Sequence, residues 1–562
     1  MTGSDPRSVF EGNLACLPDR ALAGRLSALR PDFSAPACYR FLEARSGDPV
    51  PALIPAGGGP ERPLHSLFDP RREGERLIAT LEGEDLLIFL GLGGGYQVEA
   101  ALRRPETDRI IVVEFGLGGF AELLGLRDLR GIIADSRVQI LVDPRPGTLE
   151  DLIPALYLPA LARAIRTLPL RPRVEAQGAA FARAAAEIRA AIGRISADYS
   201  VQAHFGIRMF KNTLRNLLRA GTAVAPLPRI HRALVCAAGP SLDSQLPRIA
   251  EARGRGDFLI ATDTSLPALL SGALEPDAII SIDCQHIGYR HFIPSSPNTF
   301  RIPLFLDLAS PPSLASLSRR PVFFSAGHPL SAYIAATWRP FPLIDGSGGN
   351  VTYAAVSLAE RLGAAEIELY GADFSYPLGR TYARGTYIFP YFEARQSRLE
   401  PLEALFSRFL YRTPLEKKSP APGAWYYETE TLSRYRHSLE AASERLAARL
   451  IPVPGLGAPL TIPRGHTAGR APEAASLEAA PGAVSAREFL ARYREKLRSL
   501  SPSPGPAGTC LAGLGEEGRR ILLTLLPLAA ALRRNEPERL GAEIIERSRD
   551  YALAAIDRVL GE

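Results

Sequence analysis

The chain is 562 residues long, 46% hydrophobic and 22% charged, a composition that supports buried cores and excludes a wholly disordered or fibrous polypeptide. At roughly 100 to 200 residues per domain, that length predicts about three or four globular units. The formal charge is only +6, and 62 of the 66 basic residues are arginines scattered along the sequence, so nucleic acid is not the expected partner.

Five cysteines lie far apart without CxxC spacing (Cys16, Cys38, Cys236, Cys284 and Cys510), which predicts neither a disulfide framework nor a structural zinc site. The N-terminus carries Asp5, Glu11 and Asp19 where a secretory signal needs a basic and then an apolar segment. The longest apolar run, Ile521 to Leu532, falls short of the roughly 18 residues of a membrane span and predicts a buried helix. A cytoplasmic protein without a membrane partner is the expectation.

In chain order, residues 1–75 have irregular character, with Pro and Gly clusters between Pro49 and Pro63. The stretch 76–173 changes grammar. The apolar run Leu86 to Leu90 stops at the glycines of GLGGGY, a helix-like segment follows, and a second run, Ile110 to Val113, ends at Glu114. Strand, glycine turn, helix, strand predicts a small Rossmann-like unit. Tyr96 stands at the third glycine of the dinucleotide fingerprint, and Phe89 and Leu90 stand where a methyltransferase-like turn has an acidic residue, so this unit is expected to be a scaffold.

Residues 174–230 predict a helical connector, because AAFARAAAEIRAAIGRI is rich in strong helix formers. Residues 231–395 carry seven short apolar runs, starting at Ala233, Phe258, Ala278, Pro303, Val322, Pro342 and Glu366. Runs without strict alternation suit strands buried on both faces, hence an α/β domain with a mostly parallel sheet. Residues 396–451 predict a helical extension, 452–484 a Pro/Gly/Ala-rich linker, and 485–562 a helical C-terminal region broken at Pro502 to Pro506.

The candidate chemistry lies in the central unit. In LVCAAGPSLDSQL, Gly239 permits a tight turn, Pro240 follows, and Ser241 is placed to cap a helix whose free N–H groups would hold phosphate; an ordinary capped turn is the alternative. Ligands of open parallel sheets sit beyond the carboxyl ends of the strands, where the sequence places Asp263 and Thr264, Asp283 and Gln285, Asp307, Ser325 and His328, and Asp373. The loop DGSGGN offers Ser347, Gly348, Gly349 and Asn350 for a second anion or a sugar, or serves as a hinge. Tyr376, Arg380, Tyr382 and their neighbours Arg384, Tyr387 and Tyr391 can stack on a nucleotide or sugar and offset its charge. Of eight histidines, His286, His291 and His328 lie near strand ends, and His328 is the first choice for a general base.

GPSLD, ATDT, SIDCQ and SGGNVTYAAVSLAERLGAAEIELYGADFSYPLGRTY, with GLGGGY and VVEF upstream, resemble the motility accessory factor glycosyltransferases over about residues 80 to 450. The central domain of that family is shared with an archaeal 6-hydroxymethylpterin diphosphokinase and is similar in shape to bacterial sialyltransferases. The resemblance implies transfer of a nonulosonic (sialic-like) acid from its CMP-activated form to Ser or Thr of flagellin, with no cofactor required. By position, Gly239, Pro240 and Ser241 would hold nucleotide phosphate, Asp263 and Asp283 the nucleotide, and Ser347 to Asn350 with Asp373 the sugar. Family members often have histidine where this chain has Tyr382, which moves any proton-transfer role of that position onto Tyr382 or another group. A diphosphokinase using ATP and Mg²⁺ held by Asp263, Asp283 and Asp373 is one alternative, and a non-catalytic flagellin-binding protein is another.

Overall fold

The computed structural model describes residues 5–55, 59–220, 229–293, 301–421, 423–462 and 484–561. The chain divides into two compact units, one formed by residues 1–204, 500–522 and 526–550, the other by 205–499, 523–525 and 551–562.

The first unit begins with order where the composition suggested none. Helices Pro6–Ala15 and Arg20–Leu29 start at Asp5 and Asp19, whose carboxylates accept the N–H groups of Arg7, and of Ala21 and Leu22. These are ordinary N-caps, and the helices bury Phe10, Leu22 and Leu26. Three short antiparallel strands follow: β1 (Tyr39–Glu43), β2 (Pro49–Leu53) and β3 (Arg62–Pro63). The described residues between 5 and 75 therefore form helices and strands, and Pro49, Pro51 and Pro63 lie within β2 and β3. A parallel sheet of β4 (Leu86–Leu90), β5 (Arg109–Glu114), β6 (Val138–Val142) and β7 (Ile165–Pro169) runs in the order β6-β5-β4-β7. Every residue of β4 is buried, the reason it reads as an uninterrupted apolar run.

A 42-residue helix, Gly178–Arg219, begins in the first unit and ends in the second. In the second unit, a parallel sheet joins β8 (Arg232–Cys236), β9 (Phe258–Thr262), β10 (Ala278–Ser281), β11 (Leu304–Asp307), β12 (Pro321–Phe324) and β13 (Glu366–Tyr370). The run Pro342 to Ile344 makes only one parallel bridge, Ser325 to Leu343. The expected helical extension 396–451 is mixed instead. An antiparallel hairpin, β15 (Glu416–Ala421) with β16 (Ala424–Glu428), pairs with the two-residue β14 (Tyr376–Pro377), and β17 (Arg449–Pro452) closes the large sheet. Alternation through Trp425, Tyr426 and Tyr427, with Gly423 at φ +79° in the turn, overrides the helical character on either side.

The seven strands run β12-β11-β10-β9-β8-β13-β17. From β8 the chain therefore winds outward to β12, then returns to β13 on the opposite flank. The order reverses between β8 and β13, which is where the carboxyl ends of such a sheet open into a crevice. Of the expected linker 452–484, residues 463–483 lie outside the described residues, as do 221–228 of the connector. The C-terminal helices are Ala486–Ser499, Ala507–Ala512, Glu516–Arg533 and Gly541–Gly561, and Ile521 to Leu532 lies within the third of them. No described helix is long and apolar enough to cross a membrane.

Candidate functional site

The crevice between β8 and β13 is filled by the protein itself. A Cβ on Gly239 would meet the carbonyl of Gly371 and stand 2.5 Å from Asp373 Oδ2, so only glycine admits this close approach. Gly239 N–H donates to the Gly371 carbonyl (2.8 Å). Ser241 N–H donates to Asp373 Oδ2 (2.8 Å), its hydroxyl donates to Asp373 Oδ1 (2.5 Å), and that hydroxyl accepts from the N–H of Leu456 (2.7 Å). Ser241 is buried, in αR geometry, and caps nothing with its side chain.

Gly455 and Gly457 press the segment after β17 onto this network, since a Cβ on either would lie 2.5 Å from Ser241 Oγ or from Asp373. Asp373 thus takes the anion position at the start of helix Leu242–Gly254: both Ser241 donors are spent on it, and the Gly239 N–H is spent on the Gly371 carbonyl. Burial raises the Asp373 pKa, with the Ser241 hydrogen bonds acting in the opposite sense. The phosphate role expected for this turn, and the sugar role expected for Asp373, give way to an internal lock. Arg380 is likewise engaged: it pairs with Asp243, which also accepts the N–H of Arg384 (2.8 Å), and Ala383 N–H donates to the Ala238 carbonyl (2.9 Å). That arginine secures the loop over the turn and is not a free cation.

The convergence lies one and two strands away, beyond β9 and β10. Asp263 is buried, accepting from Thr264 N–H (2.7 Å) and the Ser281 hydroxyl (2.6 Å). Asp283 accepts from Gln285 N–H (2.8 Å). Its pKa is raised, first by burial and then by the neighbouring Asp263, against the lowering influence of His291. A carboxylate held this way is more basic than one in water. Tyr382, half-buried, lies within electrostatic reach of Asp263, Tyr376 and Tyr387, and burial raises its pKa. Tyr435, within reach of Asp283, packs under Gly349, whose Cβ would stand 3.1 Å from its ring. Asp263, Asp283, Gln285, Tyr382 and the Gly349 loop therefore share one region of the second unit.

Among the histidines the preference reverses. Both ring nitrogens of His328 are shielded and without a hydrogen-bond partner among the described residues, and burial lowers its pKa to about 4. It is a neutral packing histidine at the start of helix Pro329–Thr337. His291 is the histidine beside Asp283. Its ring meets Tyr387 edge-on at 4.6 Å, and its Nδ1 has no described partner. Asp307 is fully enclosed at the β11 end, accepting from Ala326 N–H (3.2 Å) and Ala309 N–H (3.3 Å), and burial pushes it up to about 6.

The DGSGGN loop is built as a helix start. Asn350 caps helix Val351–Arg361 by accepting from Tyr353 N–H (3.0 Å), and Asp345 accepts from Ser347 N–H (2.8 Å) and the Tyr353 hydroxyl (3.0 Å). A Cβ on Gly348 would strike the Tyr353 ring. Ser347 and Gly349 remain exposed.

The glycine turn of the first unit is closed. Gly91, Gly93 and Gly95 have φ of +93°, +57° and +78°, yet Gly94 N–H donates to His65 Nε2 (2.8 Å) and Leu92 N–H to Glu114. Glu114 also pairs with Arg173, both side chains wholly buried. With the N–H groups of Leu92 and Gly94 taken by side chains and those of Gly91 and Gly95 by the carbonyls of Val113 and Leu92, this turn is satisfied by the protein's own groups.

The divalent cation of the diphosphokinase alternative fits these residues poorly. Both oxygens of Asp263 and both of Asp373 already accept hydrogen bonds, and no group of three His, Cys, Asp or Glu residues is arranged around a common metal position among the described residues.

The fold and strand ends define an open parallel α/β protein with an acidic and tyrosine-lined cluster beyond β9 and β10. The chain belongs to one family with an uncharacterised protein of Treponema pallidum (strain Nichols), to which it is 34% identical over 179 residues, 30% of this chain and 84% of that protein. Two other uncharacterised proteins of the same organism are 38% identical over 119 residues and 29% identical over 201 residues, covering 21% and 31% of this chain. The chain spans 42% and 50% of their respective lengths. Residues 208–379 match the 6-hydroxymethylpterin diphosphokinase MptE-like family model. Over 99% of this chain and 95% of the other, the fold is that of the Maf glycosyltransferase from Magnetospirillum magneticum AMB-1, with a TM-score of 0.61 and 14% identity.

Proposed function

We propose that the chain is a glycosyltransferase that moves a nonulosonic acid from a CMP-activated donor to a Ser or Thr hydroxyl of flagellin, reacting beyond β9 and β10. The observation that carries this reading is Asp283, a carboxylate made more basic by burial and by Asp263 and accompanied by His291, Tyr382 and Tyr435. The likeness to a Maf glycosyltransferase across nearly the whole chain supports the transferase class. Donor and acceptor follow from the resemblance to motility accessory factors.

In this mechanism the acceptor hydroxyl oxygen forms a bond to the anomeric carbon while the bond from that carbon to the phosphate oxygen breaks. Asp283 takes the hydroxyl proton, the departing electron pair settles on cytidine monophosphate, and Tyr382 donates a hydrogen bond to it. Gln285 N–H, accepted at Asp283 Oδ1, orients the carboxylate so that its other oxygen faces the acceptor.

The match of residues 208–379 to the MptE-like model favours a second reading, pyrophosphoryl transfer from ATP. Thermal shift separates the two. A ligand that binds only the folded state stabilises it by RT ln(1 + [L]/Kd), about 2.7 kcal/mol at a hundredfold excess over Kd. CMP is expected to raise the melting temperature and ATP with Mg²⁺ to leave it unchanged. The reverse pattern would establish the diphosphokinase reading, and no shift with either would leave a binding protein.

A further inference from the structure

We propose that Arg290 and Arg412, on two separate segments, form the subsite that recognises the anionic end of the donor; this rests on the transferase reading above. With the glycine turn locked onto Asp373, the negative charge of a nucleotide-activated sugar acid must be met elsewhere, and these two arginines are placed for it.

Arg412 lies 3.6 Å above the Phe409 ring, and Phe409 packs on Tyr382 (6.1 Å between ring centres). Arg290 lies 4.3 Å from the Tyr391 ring, and its neighbour His291 packs on Tyr387. Both guanidiniums are therefore seated on one aromatic lobe, whose Tyr382 lies within electrostatic reach of Asp263. Neither makes an ion pair with any described carboxylate, whereas Arg380, Arg248 and Arg436 all do. Stacking leaves the edge N–H groups of a guanidinium free to bind phosphate or carboxylate bidentately.

Two buried polar atoms of the same region, His291 Nδ1 and Thr381 Oγ1, have no described hydrogen-bond partner. Buried polar atoms are seldom left so unless a ligand or water satisfies them. Burial raises the Tyr387 pKa while Arg412 and then Arg290 lower it, which places that hydroxyl within the field of both cations.

The anion is either the phosphate or the sugar carboxylate, and calorimetric titrations of the full-length chain distinguish them. CMP presents only phosphate, N-acetylneuraminic acid only carboxylate, and cytidine neither. Arg290→Ala and Arg412→Ala should each weaken one of the two anions about tenfold or more, the scale of a lost charge-assisted pair, while cytidine binding stays within about twofold. Arg412→Lys should recover part of the loss. A loss for CMP assigns the pair to phosphate, and a loss for N-acetylneuraminic acid assigns it to carboxylate. Unchanged affinity for both anions, or a loss matched by cytidine, overturns the proposal. Failure of the wild-type chain to bind CMP at all would overturn the transferase reading itself, and the subsite with it.

Discussion

Ser241→Ala separates a structural lock from a ligand contact. In the wild type the Ser241 hydroxyl donates to Asp373 (2.5 Å) and accepts from Leu456 (2.7 Å). Deleting it strips a buried carboxylate of one donor, and a hydrogen bond to a charged group contributes about 1.5–3 kcal/mol. Leu456 is half exposed, so its N–H can turn to water and adds little. The Asp373 pKa is already raised by burial, and loss of the hydroxyl raises it further. A raised carboxyl favours folding only while protonated, so the penalty is full at pH 7.5 and shrinks as the pH falls toward the unfolded carboxyl value near 4. Urea denaturation should show the variant less stable by about 1.5–3 kcal/mol at pH 7.5 and closer to wild type at pH 5. Amide exchange should rise at residues 239–242 and 453–458, with CMP affinity within about twofold of wild type. An unchanged denaturation midpoint with a tenfold loss of CMP affinity would refute the lock and return Ser241 to the nucleotide.

Asp283→Asn should cut turnover about 10²- to 10⁴-fold, the range of a general base, with donor KM little changed; a KM effect alone would make Asp283 a binding group. His328, held near a pKa of about 4, binds a proton in the unfolded chain below pH 6.5 that the folded chain refuses. It should therefore remove up to about 3 kcal/mol of stability as the pH falls from 6.5 to 4, and His328→Leu should flatten that limb in pH-dependent denaturation while transfer activity persists. In the first unit, Arg173→Met leaves the buried Glu114 without its ion-pair partner and should destabilise by about 3–5 kcal/mol, with Glu114→Gln added to the same chain recovering most of the loss.

The sheet of the second unit was legible because strands buried on both faces are written as apolar runs, with Asp263, Asp283, Asp307 and Asp373 at or within three residues of their carboxyl ends. β17 was not: its four residues, Arg449 to Pro452, follow a helix and precede a Pro/Gly-rich stretch, so no local periodicity marks them. The hairpin and the N-terminal helices had signals, the alternation near Trp425 and the caps Asp5 and Asp19, that flanking composition obscured. Which strand ends converge is a long-range property. Nothing near Ser241 announces that Gly455 and Gly457, more than 200 positions away, close the crevice onto Asp373. Tyr435, Arg290 and Arg412 gain their meaning only from the elements that carry them to Asp283 and Tyr382. The exchange of His328 for His291 has the same origin, since a sequence names a histidine but not the walls around its ring.

Intact-mass measurement of flagellin incubated with the chain and a CMP-activated nonulosonic acid tests the central claim most directly. The account predicts a mass gain of one sugar acid on Ser or Thr, matched by release of CMP and abolished by Asp283→Asn. Unmodified flagellin with the donor intact, or a gain that survives Asp283→Asn undiminished, would contradict it.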